Sequence, residues 1–221
     1  MQTTVSTFLP TAAPVQVAPL RGDATAPSCC PPRPRLLVVP GLHGSGPDHW
    51  QSWLQRRTPG SRRVEQQDGS QPDLDAWAAR IGATLEAEPP GPWIAVAHSF
   101  GALALVQHLL GTAPADDGAG VVSALLVAPA SPVRFGVGPR LARRVSSAEL
   151  LVLTSGNDPW LPTELALTWA HAWGARLTDL GDLGHVNPAS GFGPWPQVLP
   201  FIERLRQRQQ AAQRARAARP D

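Results

Sequence analysis

Cysteine is scarce in this chain of 221 residues: there are two, Cys29 and Cys30, and they are neighbours. Adjacent cysteines cannot staple distant segments without straining the bridge, so no disulfide framework supports the fold. Long apolar runs are missing too. No stretch approaches the roughly 20 apolar residues that a membrane span needs, and no positively charged segment precedes an apolar run near Met1. The expectation is a soluble, cytoplasmic protein with no membrane partner. Charge of one sign is also lacking. The formal net charge is +2, and Arg204, Arg206, Arg208, Arg214, Arg216 and Arg219 all lie behind Ile202. Outside that stretch the balance is slightly acidic, and no basic-aromatic pattern marks a nucleic-acid surface. A GxxxxGKS/T phosphate loop is absent, and no cofactor is expected. His43, Asp48 and His49 come nearest to a ligand set, but they sit in a glycine-rich turn without the helical two-histidine spacing, so no metal is expected either.

What is present is a texture. With 43% hydrophobic residues, the chain is long enough for one core and too short for two. Residues 1–34 mix Pro, Ala, Thr and Ser without periodicity and close on Pro31, Pro32 and Pro34, which reads as a disordered leader. From Arg35 short apolar runs alternate with helical patterns, the signature of βαβ units. The runs Leu36–Val39, Arg63–Gln66, Trp93–Ala97, Val121–Val127, Leu150–Thr154 and Arg176–Leu180 read as about six mostly parallel strands. Between them Leu74, Trp77, Ala78, Ile81 and Leu85 recur at helical spacing, as do Leu165, Trp169 and Trp173, so helices pack on both faces. Ser45-Gly-Pro-Asp48 and Ser70-Gln-Pro-Asp73 each predict a helix start, near Pro47 and Pro72, with the serine as cap. Ser99 to Leu110 is apolar almost all round and predicts a buried helix. Val198, Phe201, Ile202 and Leu205 give the last helix a core face, beyond which it is expected to fray into an Arg-rich tail over residues 206–221. The domain is thus placed at 35–205.

The chemistry follows from strand ends. Trp93–Ala97 runs through His98-Ser99-Phe100-Gly101 into the apolar helix, the strand–turn–helix setting that exposes a serine at the edge of a parallel sheet. Ala97 stands where the usual pattern has its first glycine. Asp158 follows the strand Leu150–Thr154, and His185 follows Arg176–Leu180, so Ser, Asp and His come in the order of the α/β-hydrolases. Such strand ends converge in space. A serine hydroxyl needs a base to take its proton, a histidine can serve near neutral pH, and a carboxylate fixes the imidazole tautomer. Asp179 and Asp182 are rival acids, less suited because they sit so near His185 in sequence. Oxyanion donors are expected from the backbone of Phe100 and from the loop Pro40–Ser45, with Leu42 preferred and His43 second. His98 is read as a buried, hydrogen-bonded side chain.

Taken together, Pro40-Gly-Leu-His-Gly-Ser-Gly-Pro-Asp-His-Trp-Gln-Ser52, Ala97-His-Ser-Phe-Gly101, Ser155-Gly-Asn-Asp-Pro-Trp160 and Gly184-His-Val-Asn-Pro-Ala-Ser-Gly-Phe-Gly-Pro-Trp195 resemble the small serine hydrolase family of retinoblastoma-binding protein 9 and its bacterial relatives. The resemblance spans about Leu36 to Leu205. It implies a single α/β-hydrolase domain and assigns nucleophile, acid and base to Ser99, Asp158 and His185, without naming a substrate.

Only about twenty residues, Ala128 to Ser147, separate the fourth and fifth strands, too few for a cap domain. A shallow pocket is expected, walled by Trp50, Phe135, Trp160, Phe192 and Trp195, and suited to small or short-acyl esters. Two alternatives remain at this level: an amidase or peptidase using the same three residues, and a protein-binding module on a hydrolase fold. The expected partner is a small acyl substrate and the expected state a monomer or weak homodimer.

Overall fold

In the computed structural model, which describes residues 33–113, 118–145 and 147–218, six strands form one all-parallel sheet. They are β1 (Arg35–Val39), β2 (Arg62–Arg63), β3 (Pro92–Ser99), β4 (Gly120–Pro129), β5 (Glu149–Thr154) and β6 (Arg176–Asp179), in the spatial order β2-β1-β3-β4-β5-β6. Six helices accompany them: α1 (Trp50–Arg57), α2 (Leu74–Glu86), α3 (Phe100–Leu110), the single turn α4 (Gly138–Leu141), α5 (Thr163–Trp173) and α6 (Leu199–Ala217). This is the α/β-hydrolase architecture, with no cap domain among the described residues. Between β4 and β5, α4 is the one helix among the described residues.

The inner strands β1, β3, β4 and β5 read as nearly unbroken apolar runs because both of their faces are covered, whereas the edge strands β2 and β6 are short and partly exposed. Period two then divides them. Leu37, Val39, Trp93, Ala95, Leu126 and Val152 join the cluster under α2, α3, α4 and α5, while Leu36, Val38, Ile94, Val96, Leu125 and Leu153 join Trp50 and Leu54 of α1 and Ile202 and Leu205 of α6. The order reverses at β1 and β3, which opens a crevice at their carboxyl ends.

Several element ends differ from expectation for identifiable reasons. The helix expected from Pro47 begins at Trp50, capped by the His49 ring, because Ser45 Oγ donates to Gln51 Oε1 (2.6 Å) instead of capping. Asp73, not Ser70, caps α2, accepting from the amides of Asp75 and Ala76. Strand β2 stops early: beyond Val64, whose amide donates to Val38 O (2.9 Å), the neighbouring β1 has reached Pro40 and has no N–H to offer. In α5 the buried residues are Ala166, Ala170 and Trp173, and Leu165 faces solvent.

The last helix does not fray near residue 205 but runs to Ala217. A bulge where β3 meets β4 leaves Val122 out of the ladder, and Gln209 Nε2 donates to its carbonyl (3.2 Å) and to Ser123 Oγ (2.7 Å). Arg208 pairs with Glu149 at 2.8 Å. These directional bonds hold the polar half of α6 where an apolar stripe is lacking. Among the described residues no helix is long and apolar enough to cross a membrane. Most of the proposed leader, together with Arg219, Pro220 and Asp221, lies outside the described residues.

Candidate active site

The loops after β1, β3, β5 and β6 meet at the carboxyl edge of the sheet. Ser99 ends β3 with φ 53° and ψ −126°, a conformation that a non-glycine residue adopts only when its surroundings impose it. What imposes it is the tight passage from β3 into α3. A Cβ built on Gly101 would lie 2.1 Å from Pro40 O and 2.9 Å from Val39 O, so α3 can approach β1 only with glycine there.

Ser99 Oγ lies 2.9 Å from His185 Nε2, and His185 Nδ1 lies 3.0 Å from both carboxylate oxygens of Asp158. Asp158 and His185 are buried, with Asp158 Oδ1 also accepting the Trp160 amide (2.9 Å). Facing a carboxylate, Nδ1 holds the proton, which leaves Nε2 as the acceptor for the serine hydroxyl. Asp182 is turned toward Gly156, and Asp179 Oδ1 accepts the Gly181 amide (2.9 Å), so neither rival acid is the one that meets the ring.

The His185 loop is held from three sides. Ser155 Oγ accepts the Leu183 amide (2.8 Å), Asn157 Oδ1 accepts the Gly184 amide (2.6 Å), and Ser190 Oγ accepts the His185 amide (3.1 Å). From below, Trp50 Nε1 donates to Val186 O (2.8 Å) and His98 Nε2 to His185 O (2.9 Å). Period two places His98 on the α1–α6 face of β3, where burial first, then the proximity of His185 and His49, lowers its pKa well below the ordinary value. A neutral His98 puts no positive charge beside the His185 ring.

A family model for serine hydrolases matches residues 36–204. The chain belongs to the serine hydrolase family. Among solved structures this serine hydrolase is similar to one described as a YdeN-like hydrolase from Pectobacterium atrosepticum, at 36% identity over 79% of this chain and 91% of the other, with a TM-score of 0.73. It shares its fold with the ydeN gene product of B. subtilis at 20% identity, covering 78% and 98% of the two chains, with a TM-score of 0.65. No curated protein matches it.

In this serine hydrolase a pocket of about 300 Å³ opens over Ser99 and His185, lined by Leu42, His49, His98, Phe135 and Trp160 among others. Phe135 and Trp160, expected as pocket walls, are among its lining residues. Trp50, Trp195 and Phe192 are not pocket walls: Trp50 is fully buried, Trp195 packs edge-on against it at 5.3 Å, and Phe192 meets Trp195 edge-on at 5.7 Å. They form the apolar footing of the His185 loop. An aromatic residue near a motif says nothing about which side of the loop it faces.

His49 lines the pocket, which the sequence reading did not anticipate, and the Ser155–Asn157 and Asn187–Ser190 bonds went unread. The available signal was the run of small polar residues on either side of Asp158 and His185, the kind that bonds to nearby backbone. His43 is corrected as an oxyanion donor, because its amide is committed to Gly69 O at 2.8 Å. The amide of Leu42 meets no acceptor among the described residues. Phe100, first in α3, has no carbonyl one turn back within the helix. His43 and Asp48 are exposed while His49 is buried, and among the described residues no group of three His, Cys, Asp or Glu side chains is arranged to hold a metal ion.

Proposed function

We propose that this serine hydrolase cleaves carboxylic esters of small or short acyl groups through an acyl-enzyme, with Ser99 as nucleophile, His185 as general base and acid, and Asp158 as the orienting carboxylate. The observation that carries the reading is the unbroken hydrogen-bonded chain from Ser99 Oγ through His185 to Asp158 at the floor of an open pocket.

As Ser99 Oγ bonds to the substrate carbonyl carbon, its proton passes to His185 Nε2. The negative charge that builds on the carbonyl oxygen is received by the amides of Phe100 and Leu42. Asp158 stabilises the imidazolium without taking its proton. Collapse of the tetrahedral intermediate breaks the ester C–O bond, and His185 Nε2–H protonates the departing alcohol. Water then repeats the sequence: its proton goes to His185, its oxygen to the acyl carbon, and Ser99 leaves with the proton returned. Acid and alcohol are the products. Phe135 and Trp160 line a pocket of about 300 Å³, a size that supports short acyl groups.

The test is labelling with a fluorophosphonate probe read by intact mass. One adduct on the wild type and none on Ser99→Ala is expected; no adduct on folded wild type would sink the proposal. For chain length, p-nitrophenyl acetate or butyrate should be turned over faster than a long-chain ester. The reverse order would remove the short-acyl assignment.

A further inference from the structure

Three imidazoles gather at the pocket, with the His98 ring centroid 5.0 Å from that of His49 and 4.9 Å from that of His185. Two of them have their proton-bearing nitrogen engaged. His185 directs Nδ1 at Asp158, and His98 directs Nε2 at a carbonyl oxygen, which only a protonated nitrogen satisfies.

His49 differs. Its Nδ1 accepts the Gln51 amide at 3.1 Å as the cap of α1. A nitrogen that accepts carries no proton, so the neutral ring holds its proton on Nε2. The ring is neutral because burial first, then the charge of Arg63 and the neighbouring His185, lower its pKa to about 4. The residue is 4% exposed and lines the pocket beside Ser99, yet among the described residues Nε2–H meets no acceptor. Contacts with Trp50 and His98 on two sides and the capping bond fix the ring. The ring is held but Nε2–H is not sealed in: it opens to the pocket, where water or a substrate oxygen can accept from it.

We infer that His49 Nε2–H donates to a substrate oxygen lying within a few bonds of the scissile carbonyl. The preferred esters would then carry a hydroxyl, alkoxy or carbonyl oxygen close to the cleaved bond in place of plain hydrocarbon. This rests on the ester-hydrolase reading above.

Two isosteric pairs test it, one on each side of the ester: p-nitrophenyl methoxyacetate against p-nitrophenyl butyrate, and 2-methoxyethyl butyrate against butyl butyrate. The readout is the ratio of kcat/KM within each pair, compared between wild type and His49→Asn, so that intrinsic reactivity cancels. Asparagine keeps an oxygen to cap α1 but is too short to place a donor where Nε2 stands. In at least one pair the preference for the oxygen-bearing ester should fall about tenfold, the worth of one hydrogen bond. Ratios within twofold of wild type in both pairs would overturn the inference while fluorophosphonate labelling of Ser99 persists. Absence of labelling in the wild type would instead remove the reading it rests on, and this inference with it. Should His49→Asn not fold, the wild type answers alone. The His49 Nε2–H resonance should shift when Ser99 is labelled with a methoxyalkyl phosphonate and stay in place with its alkyl isostere; equal shifts would overturn the inference.

Discussion

On one side of the sheet Ile81, Leu103, Leu126 and Trp173 pack together as a continuous apolar layer, whereas the other side buries Gln51, His98 and Ser123 among Trp50, Leu54 and Leu205. Gln51 shows the difference most clearly. Its Nε2 donates to Val39 O (3.1 Å) and Val96 O (3.0 Å), bridging β1 and β3 where the strand order reverses, and its Oε1 accepts from Ser45. The α2–α5 side holds the sheet by area. The α1–α6 side adds directional bonds that hold the loops of the candidate site. Hydrophobic burial is indifferent to angle, so a layer of it supports a sheet but does not aim a hydroxyl.

Three experiments would break or sharpen that contrast. The largest effect on stability should come from Ile81→Ala on the apolar side: a loss of about 2–5 kcal/mol in urea unfolding, with kcat/KM of the folded enzyme unchanged within twofold. A large fall in kcat/KM at full folding would show that this side also aims the site. Next is Gln51→Leu, which strips two strand carbonyls and a hydroxyl of their partner. It should cost about 1–3 kcal/mol and also lower kcat/KM below the melting transition, because the loop carrying Leu42 loosens. Unaltered kinetics would mean that Gln51 serves packing alone.

The third experiment varies pH. His49 and His98 have their pKa values depressed, chiefly by burial. Below about pH 6.5 the unfolded chain therefore binds protons that the folded state refuses. Stability is full above pH 6.5 and declines as pH falls toward 4, at about 1.4 kcal/mol per unit for each proton withheld. Urea midpoints at pH 7 and pH 5 check this, and His98→Asn should reduce the difference. A difference unchanged in that variant would assign the acid sensitivity elsewhere, the half-buried His108 being the next candidate.

Much of this was open to reading in the sequence because the informative residues act locally. Strands buried on both faces announce themselves as unbroken apolar runs, and Ser99 and Asp158 each stand just past such a run while His185 follows the partly exposed edge strand β6, so all three lie at the carboxyl edge of one sheet. Other features depend on which of several available partners a side chain meets. Nothing near Ser45 indicates that its hydroxyl turns to Gln51 and leaves capping to His49. Nothing in the arginine-rich end indicates that Gln209 reaches a carbonyl released by a bulge 87 residues earlier. Trp50 and Trp195 have the composition of pocket walls, and the side they take is decided by Val186 and by each other.

The missing side chain at Gly101 has a mechanical consequence. Because α3 rests against Pro40 and Val39 with no room for a methyl group, the turn that presents Ser99 and the segment leading into Leu42 behave as one rigid jig. The two amides assigned to the developing oxyanion are therefore set at a constant spacing before substrate arrives. Such a site has no closing step to wait for, and its turnover should begin without a lag.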